Sequence, residues 1–229
     1  RVYYEKWYHP TNQAIIVVGN VDVKYTENKI KELFGSFKNP ENPAPIVDEQ
    51  VPDNAEPIVI IDKDKEQQTN GVELMIKHDV FPASEKGNLN YLIYNYVKQA
   101  AMTMLNKRLQ EKALDADCPY VSANANDGTF IFAKTKDAFN LSAAPKELGK
   151  TADALKAAYT EALRAARHGF TATEYARFQE DYKSSLDKMY SNKDKRPNSQ
   201  LYRDLVDNFL EGDPMPSIDF EYQAMSQIV

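Results

Sequence analysis

The chain has 229 residues, 42% of them hydrophobic, with 28 basic against 34 acidic side chains and a net charge of −6. That apolar content can bury a sizeable core, while the acidic balance argues against nucleic acid and anionic lipid as partners, since phosphate recognition needs clustered Lys and Arg. Cys118 is the single cysteine, so no internal disulfide can form, and no stretch reaches the roughly 18 apolar residues of a membrane span. The thiol count suits a reducing cytosol and a disulfide-poor envelope protein equally.

The opening run Val2-Tyr3-Tyr4-Glu5-Lys6-Trp7-Tyr8 reads as the end of a helix, and the last residues, from Tyr222 to Val229, stop within a helical pattern. Both ends read as cut, so a fragment of a longer protein is expected. Ala14-Ile15-Ile16-Val17-Val18, closed by Gly19-Asn20, predicts a buried strand. Tyr25, Ile30, Leu33 and Phe34 follow at helical spacing, with Asp22 as N-cap and Gly35 at the far end. Pro40, Pro43, Pro45, Pro52 and Pro57 then exclude regular structure and mark an extended linker.

Beyond the linker, Ile58-Val59-Ile60-Ile61 and Val72-Glu73-Leu74-Met75-Ile76-Lys77 predict two strands, the second alternating between faces. Leu89, Leu92, Ile93, Tyr96, Val97, Ala100, Met104, Leu105 and Leu109 repeat at three and four, as in a long amphipathic helix. Residues 120–126 and 129–136 read as a hairpin turning at Asp127-Gly128. The last third is helical: a stripe from Leu148 to Ala166 ends at Gly169, and Thr171-Ala172-Thr173-Glu174 has the capping-box pattern for a helix running to about Lys193. A further helix from Ser199 to Leu210 stops at Gly212, and Ser217 can cap a last one. Strands joined by hairpins with helices in separate blocks imply an α+β fold: a four-stranded, mostly antiparallel sheet with long helices packed on one face.

A catalytic centre is not legible. A zinc site commonly takes two His at helical spacing plus a carboxylate, but His9, His78 and His168 are far apart and none lies in His-x-x-x-His or His-x-x-Glu-His. Cys118 precedes Pro119 with no His or Asn nearby to form a thiolate pair, which favours a structural thiol. There is no Gly-x-Ser-x-Gly elbow and no glycine-rich phosphate loop. The charge runs at residues 62–66 and 193–196 read as wet surface. Tyr91, Tyr94 and Tyr96 cannot all face one way, so the group divides between core and a surface that meets a peptide or a neighbouring domain.

Tyr3-Tyr4-Glu5-Lys6-Trp7-Tyr8-His9-Pro10-Thr11-Asn12, followed by Ile16-Val17-Val18-Gly19-Asn20-Val21-Asp22, resembles the end of the first domain of insulinase/pitrilysin-type zinc peptidases. Met104 to Glu111 leading to Ala123 and Gly128, and Gly169-Phe170-Thr171 with Glu174 opening a helix, resemble the second domain of that family. The resemblance implies residues 1–37 as the tail of a preceding zinc domain, 38–57 as a linker and 58–229 as a non-catalytic second domain. It implies a clam-like enzyme that closes around unfolded peptide, with zinc expected in the full-length protein and its ligands outside this chain; no catalytic or metal residue carries over. Implied partners are the preceding zinc domain, the second half of the same polypeptide and an unfolded peptide, with no nucleic acid.

Some members of the family steady the peptide carbonyl with an Arg and a Tyr seven residues apart. Tyr120 matches that Tyr and is the one candidate for substrate binding, but Ala113 stands at the Arg place. The departure implies the zinc-bearing half of the enzyme and a structural Tyr120. The wording from Leu109 to Tyr120 is most similar to long bacterial members, which places the parent protein in the cell envelope or periplasm. A zinc-free assembly module of a processing-peptidase-like complex, or a stand-alone peptide-binding module, remains a competing reading.

Overall fold

The computed structural model describes residues 1–229. They divide into two compact units: Arg1–Val47 with Asp187–Gln223, and Asp48–Leu186 with Ala224–Val229.

In the first unit, the aromatic opening forms α1 (Val2–Trp7) and a second helix follows, α2 (Val23–Phe34). Asp22 caps α2 by accepting a hydrogen bond from the Tyr25 amide at 2.8 Å. The same unit holds α6 (Asn198–Glu211), which ends where Gly212 takes a left-handed conformation at φ +67°. Tyr190 stacks on Tyr222 with ring centroids 4.2 Å apart.

The second unit is built on a three-stranded antiparallel sheet of β1 (Val72–Asp79), β2 (Tyr120–Thr129) and β3 (Lys136–Pro145), in the order β1-β3-β2. Val72, Leu74 and Ile76 face Ala143, Leu141 and Phe139, which in turn face Ala123, Ala125 and Asp127. Because side chains alternate along a strand, these rows form one face, apolar over most of its length. That face is covered by α3 (Leu89–Ala113), lying over β2, and α4 (Thr151–His168), lying over β3 and β1. The core joins Leu105 and Leu109 of α3, Leu141 and Ala143 of β3, and Ala154, Ala158 and Ala162 of α4. With alanine at every fourth position, α4 can approach the strands closely.

Two further helices complete the chain, α5 (Ala172–Ser191) and α7 (Ile218–Ile228). The capping box at the start of α5 is reciprocal: the Glu174 amide donates to Thr171 Oγ1 at 3.2 Å, and the Thr171 amide donates to Glu174 Oε2 at 2.6 Å. Tyr96 packs edge-on against Tyr182 and tilts over Phe178, while Tyr91 and Tyr94 both meet Phe81. All three tyrosines near the start of α3 therefore have aromatic partners.

The α+β class with an antiparallel sheet and helices on one face is what the structure shows, but the strand count differs. Ala14 to Val18 and residues 58–61 form no strand. A strand is stabilised by pairing with a neighbour, and neither run has one; Ile58, Val59, Ile60 and Ile61 are 73–85% exposed. The hairpin also turns later than Asp127-Gly128 suggests. Gly128 pairs with Ala138 inside the ladder, and the chain reverses over residues 130–135. Packing of Ala123 and Ala125 into the core fixes this register, and tertiary burial overrides a local turn signal. Helix α5 stops at Ser191, short of Lys193, and a 3-10 turn, Lys193–Lys195, follows.

Candidate functional site

Peptide can add to a sheet only at an unpaired edge. This sheet has two edges, and they are treated differently. On β2, the Asn106 side chain of α3 behaves as a surrogate peptide group: its Nδ2 donates to the Ala125 carbonyl and its Oδ1 accepts from the Ala125 amide, both at 2.8 Å. At Ala125, that edge is capped from within the fold.

No strand pairs with the outer edge of β1. Beside it runs a groove of about 830 Å³, walled by Leu74, Met75 and Ile76 of β1, by Leu155 and Tyr159 of α4, and by residues 53–57. The 53–57 stretch is held near the end of β1 by ion pairs: Lys136 Nζ lies 3.0 Å from Asp53 and 2.7 Å from Asp79. Lys77 Nζ also donates to the Pro52 carbonyl. The groove is thus an open strand edge with an apolar floor and charged groups at its rim.

Tyr120 lies elsewhere. A bulge between Tyr120 and Ser122 shifts the register of β2 by one residue, which turns Tyr120 to the same face as Ala123 and Ala125. Its side chain is fully buried, and its hydroxyl donates to the Leu109 carbonyl at 3.0 Å. Burial, followed by the neighbouring Cys118, pushes the phenol above its ordinary range. The hydroxyl is committed inside the core and does not line the groove.

The other singled-out residues are dispersed. His9 is buried between Thr11, whose Oγ1 is 2.5 Å from Nδ1, and Asn12. His78, at the end of β1, places Nε2 3.0 Å from Asp127 Oδ2 and Nδ1 2.9 Å from the Asp79 carbonyl. His168 is the exposed last residue of α4, and Cys118 is a buried free thiol. No group of three or more His, Cys, Asp or Glu side chains is placed to hold a metal ion. The donors present here do not fit a zinc site.

One ionic cluster escaped sequence reasoning. Arg108 of α3, 10% exposed, forks onto Glu174: Nε lies 2.5 Å from Oε1 and Nη2 2.8 Å from Oε2. Its Nη2 also donates to the Gly169 carbonyl at 3.1 Å, and the guanidinium lies 4.7 Å from the Phe170 ring centroid. Glu161 of α4 approaches the same guanidinium at 3.7 Å. The cluster pins α3 to the α4–α5 junction. Arg108, Gly169, Phe170 and Glu174 lie in the stretches quoted for the family resemblance, but the Arg108–Glu174 pairing spans 66 positions and has no local signature.

Residues 1–182 match the family described as Peptidase M16 inactive domain. The chain belongs to that family. Across all of this M16 chain, the probable zinc protease PqqL of Escherichia coli K12 is 25% identical over 236 residues, which is 24% of that protein's length. The solved first half of the periplasmic protease PqqL from Escherichia coli superposes with a TM-score of 0.78 at 21% identity, covering 99% of this chain and 47% of that one. A predicted insulinase family protease from Yersinia pestis superposes at 0.81 with 14% identity, again over 99% and 47%. At those identities the structural likeness is one of fold. The M16 chain spans about a quarter of the curated relative. No helix in it is long and apolar enough to cross a membrane.

Proposed function

We propose that this M16 domain is the non-catalytic second domain in the zinc-bearing half of a bacterial zinc metalloendopeptidase, where it forms part of the wall of a peptide-holding chamber. Peptide-bond hydrolysis belongs to the full-length protein. In this reading, residues 1–37 end the preceding zinc domain, residues 38–57 join it to the rest and residues 58–229 form the second domain. Zinc and its ligands lie in the preceding domain, and the second half of the polypeptide closes the chamber. The periplasm is the compartment, by likeness to PqqL. Tyr120 serves the core and does not contact substrate.

One observation carries the reading: the sheet leaves its β1 edge open on an apolar groove, while its β2 edge is capped by Asn106 at Ala125. Backbone hydrogen bonds to a strand edge are indifferent to sequence, as a chamber for unfolded peptide requires.

Binding of an unstructured apolar peptide to the 229-residue chain, followed by fluorescence anisotropy, tests this. Ala152→Arg and Leu155→Asp alter groove-lining positions outside the buried core and are expected to weaken binding about tenfold, equivalent to about 1.4 kcal/mol. Unchanged affinity in both variants, or no binding by the parent chain, would shift the assignment to a zinc-free assembly module.

A further inference from the structure

Helix α4 carries two stripes. Ala154, Ala158 and Ala162 face the sheet and belong to its core. Ala152, Leu155, Lys156 and Tyr159, at spacings of three and four, form a neighbouring stripe, and this second stripe walls the groove. Leu155 and Tyr159 are only half-buried, and no strand beyond β1 lies beneath them. The helix therefore overhangs the edge of the sheet, and the groove is the position of one further strand.

The two sides of that position differ in chemistry. On the core side, Leu74 and Ile76 of β1 lie with Leu155 and Tyr159 of α4, all apolar but for one phenol. On the opposite side, Met75 and Lys77 alternate with them along β1. Lys77 is bonded by the Pro52 carbonyl, and Lys136, which pairs with Asp79 on that face, holds Asp53. Residues 53–57, with Asp53, Asn54 and Glu56 among them, are thereby tethered on this polar side. A strand added here would send successive side chains alternately to the two sides.

We infer that the groove selects extended peptide segments in which apolar and polar side chains alternate. The inference deepens the peptide-holding reading above and rests on it.

Strand β1 walls the groove from Leu74 to Lys77, so the selected window is about four residues, or about 13 Å. Within it, alternate side chains pass under Leu155 and Tyr159 while the others face Lys77 and residues 53–57. A segment apolar throughout would press half of its side chains against Asp53, Asn54 and Glu56. A segment polar throughout would bury hydrogen-bonding groups against Leu155 and Tyr159 without partners. Backbone bonding to β1 is common to all peptides; the two-sided position adds selection by pattern, not by any one residue type. Alternation of this kind marks segments that form half-buried strands when folded, so the ligand class is the unfolded β-strand segment.

Fluorescence anisotropy with the 229-residue chain compares a peptide of alternating leucine and serine with an isomer of the same composition whose leucines are consecutive. The alternating peptide should bind about tenfold tighter, because only it buries its leucines on one side. Methylating its backbone amides at the leucines or at the serines should abolish binding in one case and be tolerated in the other, since alternate amides point to β1 and away from it. Leu155→Asn should erase the preference between the isomers. Equal affinity for both isomers, or tolerance of both methylation patterns, overturns the inference whether or not the variant folds. If Ala152→Arg and Leu155→Asp still weaken that binding, the peptide-holding reading stands. Binding of neither isomer by a monomeric chain removes both readings; binding of neither by a chain that sediments as a dimer gives the position to a second copy and overturns the inference.

Discussion

Replacing Glu174 with Gln isolates the charge in the cluster that joins α3 to the α4–α5 junction. Arg108 donates to both carboxylate oxygens and the Thr171 amide adds a third bond. Chiefly through Arg108, opposed by burial and assisted by Thr171, the Glu174 carboxyl is held at about 2, against 4.5 ordinarily. A depressed carboxyl pKa stabilises the fold above the unfolded value and loses that contribution as pH falls through the folded one. At 1.36 kcal/mol per unit, the shift corresponds to an upper figure on the order of 3 kcal/mol. Glu174 is 25% exposed, so solvent screening reduces the expected figure to about 2 kcal/mol. Glu174→Gln should therefore unfold at lower urea concentration at neutral pH, with the gap closing as pH drops from about 5 towards 2. Circular dichroism at a series of pH values measures both. A stability gap that stays constant across that range would refute the argument, because it would trace the loss to shape or hydrogen bonding and not to charge.

Asn106→Ala strips partners from the amide and carbonyl of Ala125, which is 2% exposed. At about 1–3 kcal/mol for each stranded group, thermal melting should fall by several degrees, and amide exchange should show β2 loosened at that point. Tyr120→Phe removes the bond to the Leu109 carbonyl and leaves the ring in place. It should cost about 1 kcal/mol in urea unfolding and leave peptide affinity unchanged; a large loss of affinity without unfolding would return Tyr120 to the substrate surface. Ile131 sits at φ +57° and is 64% exposed on the β2–β3 turn. Since a β-branched residue is strained there, Ile131→Gly should stabilise by about 1 kcal/mol, read as a rise in melting temperature. Finally, elemental analysis after zinc exposure and exhaustive dialysis should find a zinc-to-protein ratio near zero; stoichiometric metal, lost on replacing His9, His78 or His168, would contradict the placement of zinc in another domain.

What could be read from the sequence was what short-range chemistry decides. Asp22, Thr171 with Glu174, and Gly212 act within a few residues of their partners, and the structure uses each of them at a helix end. The long stripe of α3 was legible because burial imposes its own period. Strand pairing was not, because it depends on what the rest of the chain supplies. Val72 to Asp79 found β3, whereas Ile58 to Ile61, stronger by composition, found nothing. The groove shares that limit: its walls come from residues 53–57, β1 and α4, and nothing in any one segment signals the others. Tyr120 was placed on the correct strand, but its orientation was set by a bulge whose only trace is a one-residue register shift.

The exposed run at residues 58–61 bears on how this protein behaves at concentration. Four consecutive β-branched side chains without a hydrogen-bonded neighbour have the composition that seeds intermolecular strand pairing. Pro57 on one side and Asp62-Lys63-Asp64-Lys65 on the other bracket the run like gatekeepers. Colloidal stability then depends on those flanking charges. Added salt, which screens them, should promote self-association, and a single lysine in place of Ile60 should suppress it while leaving the buried core untouched.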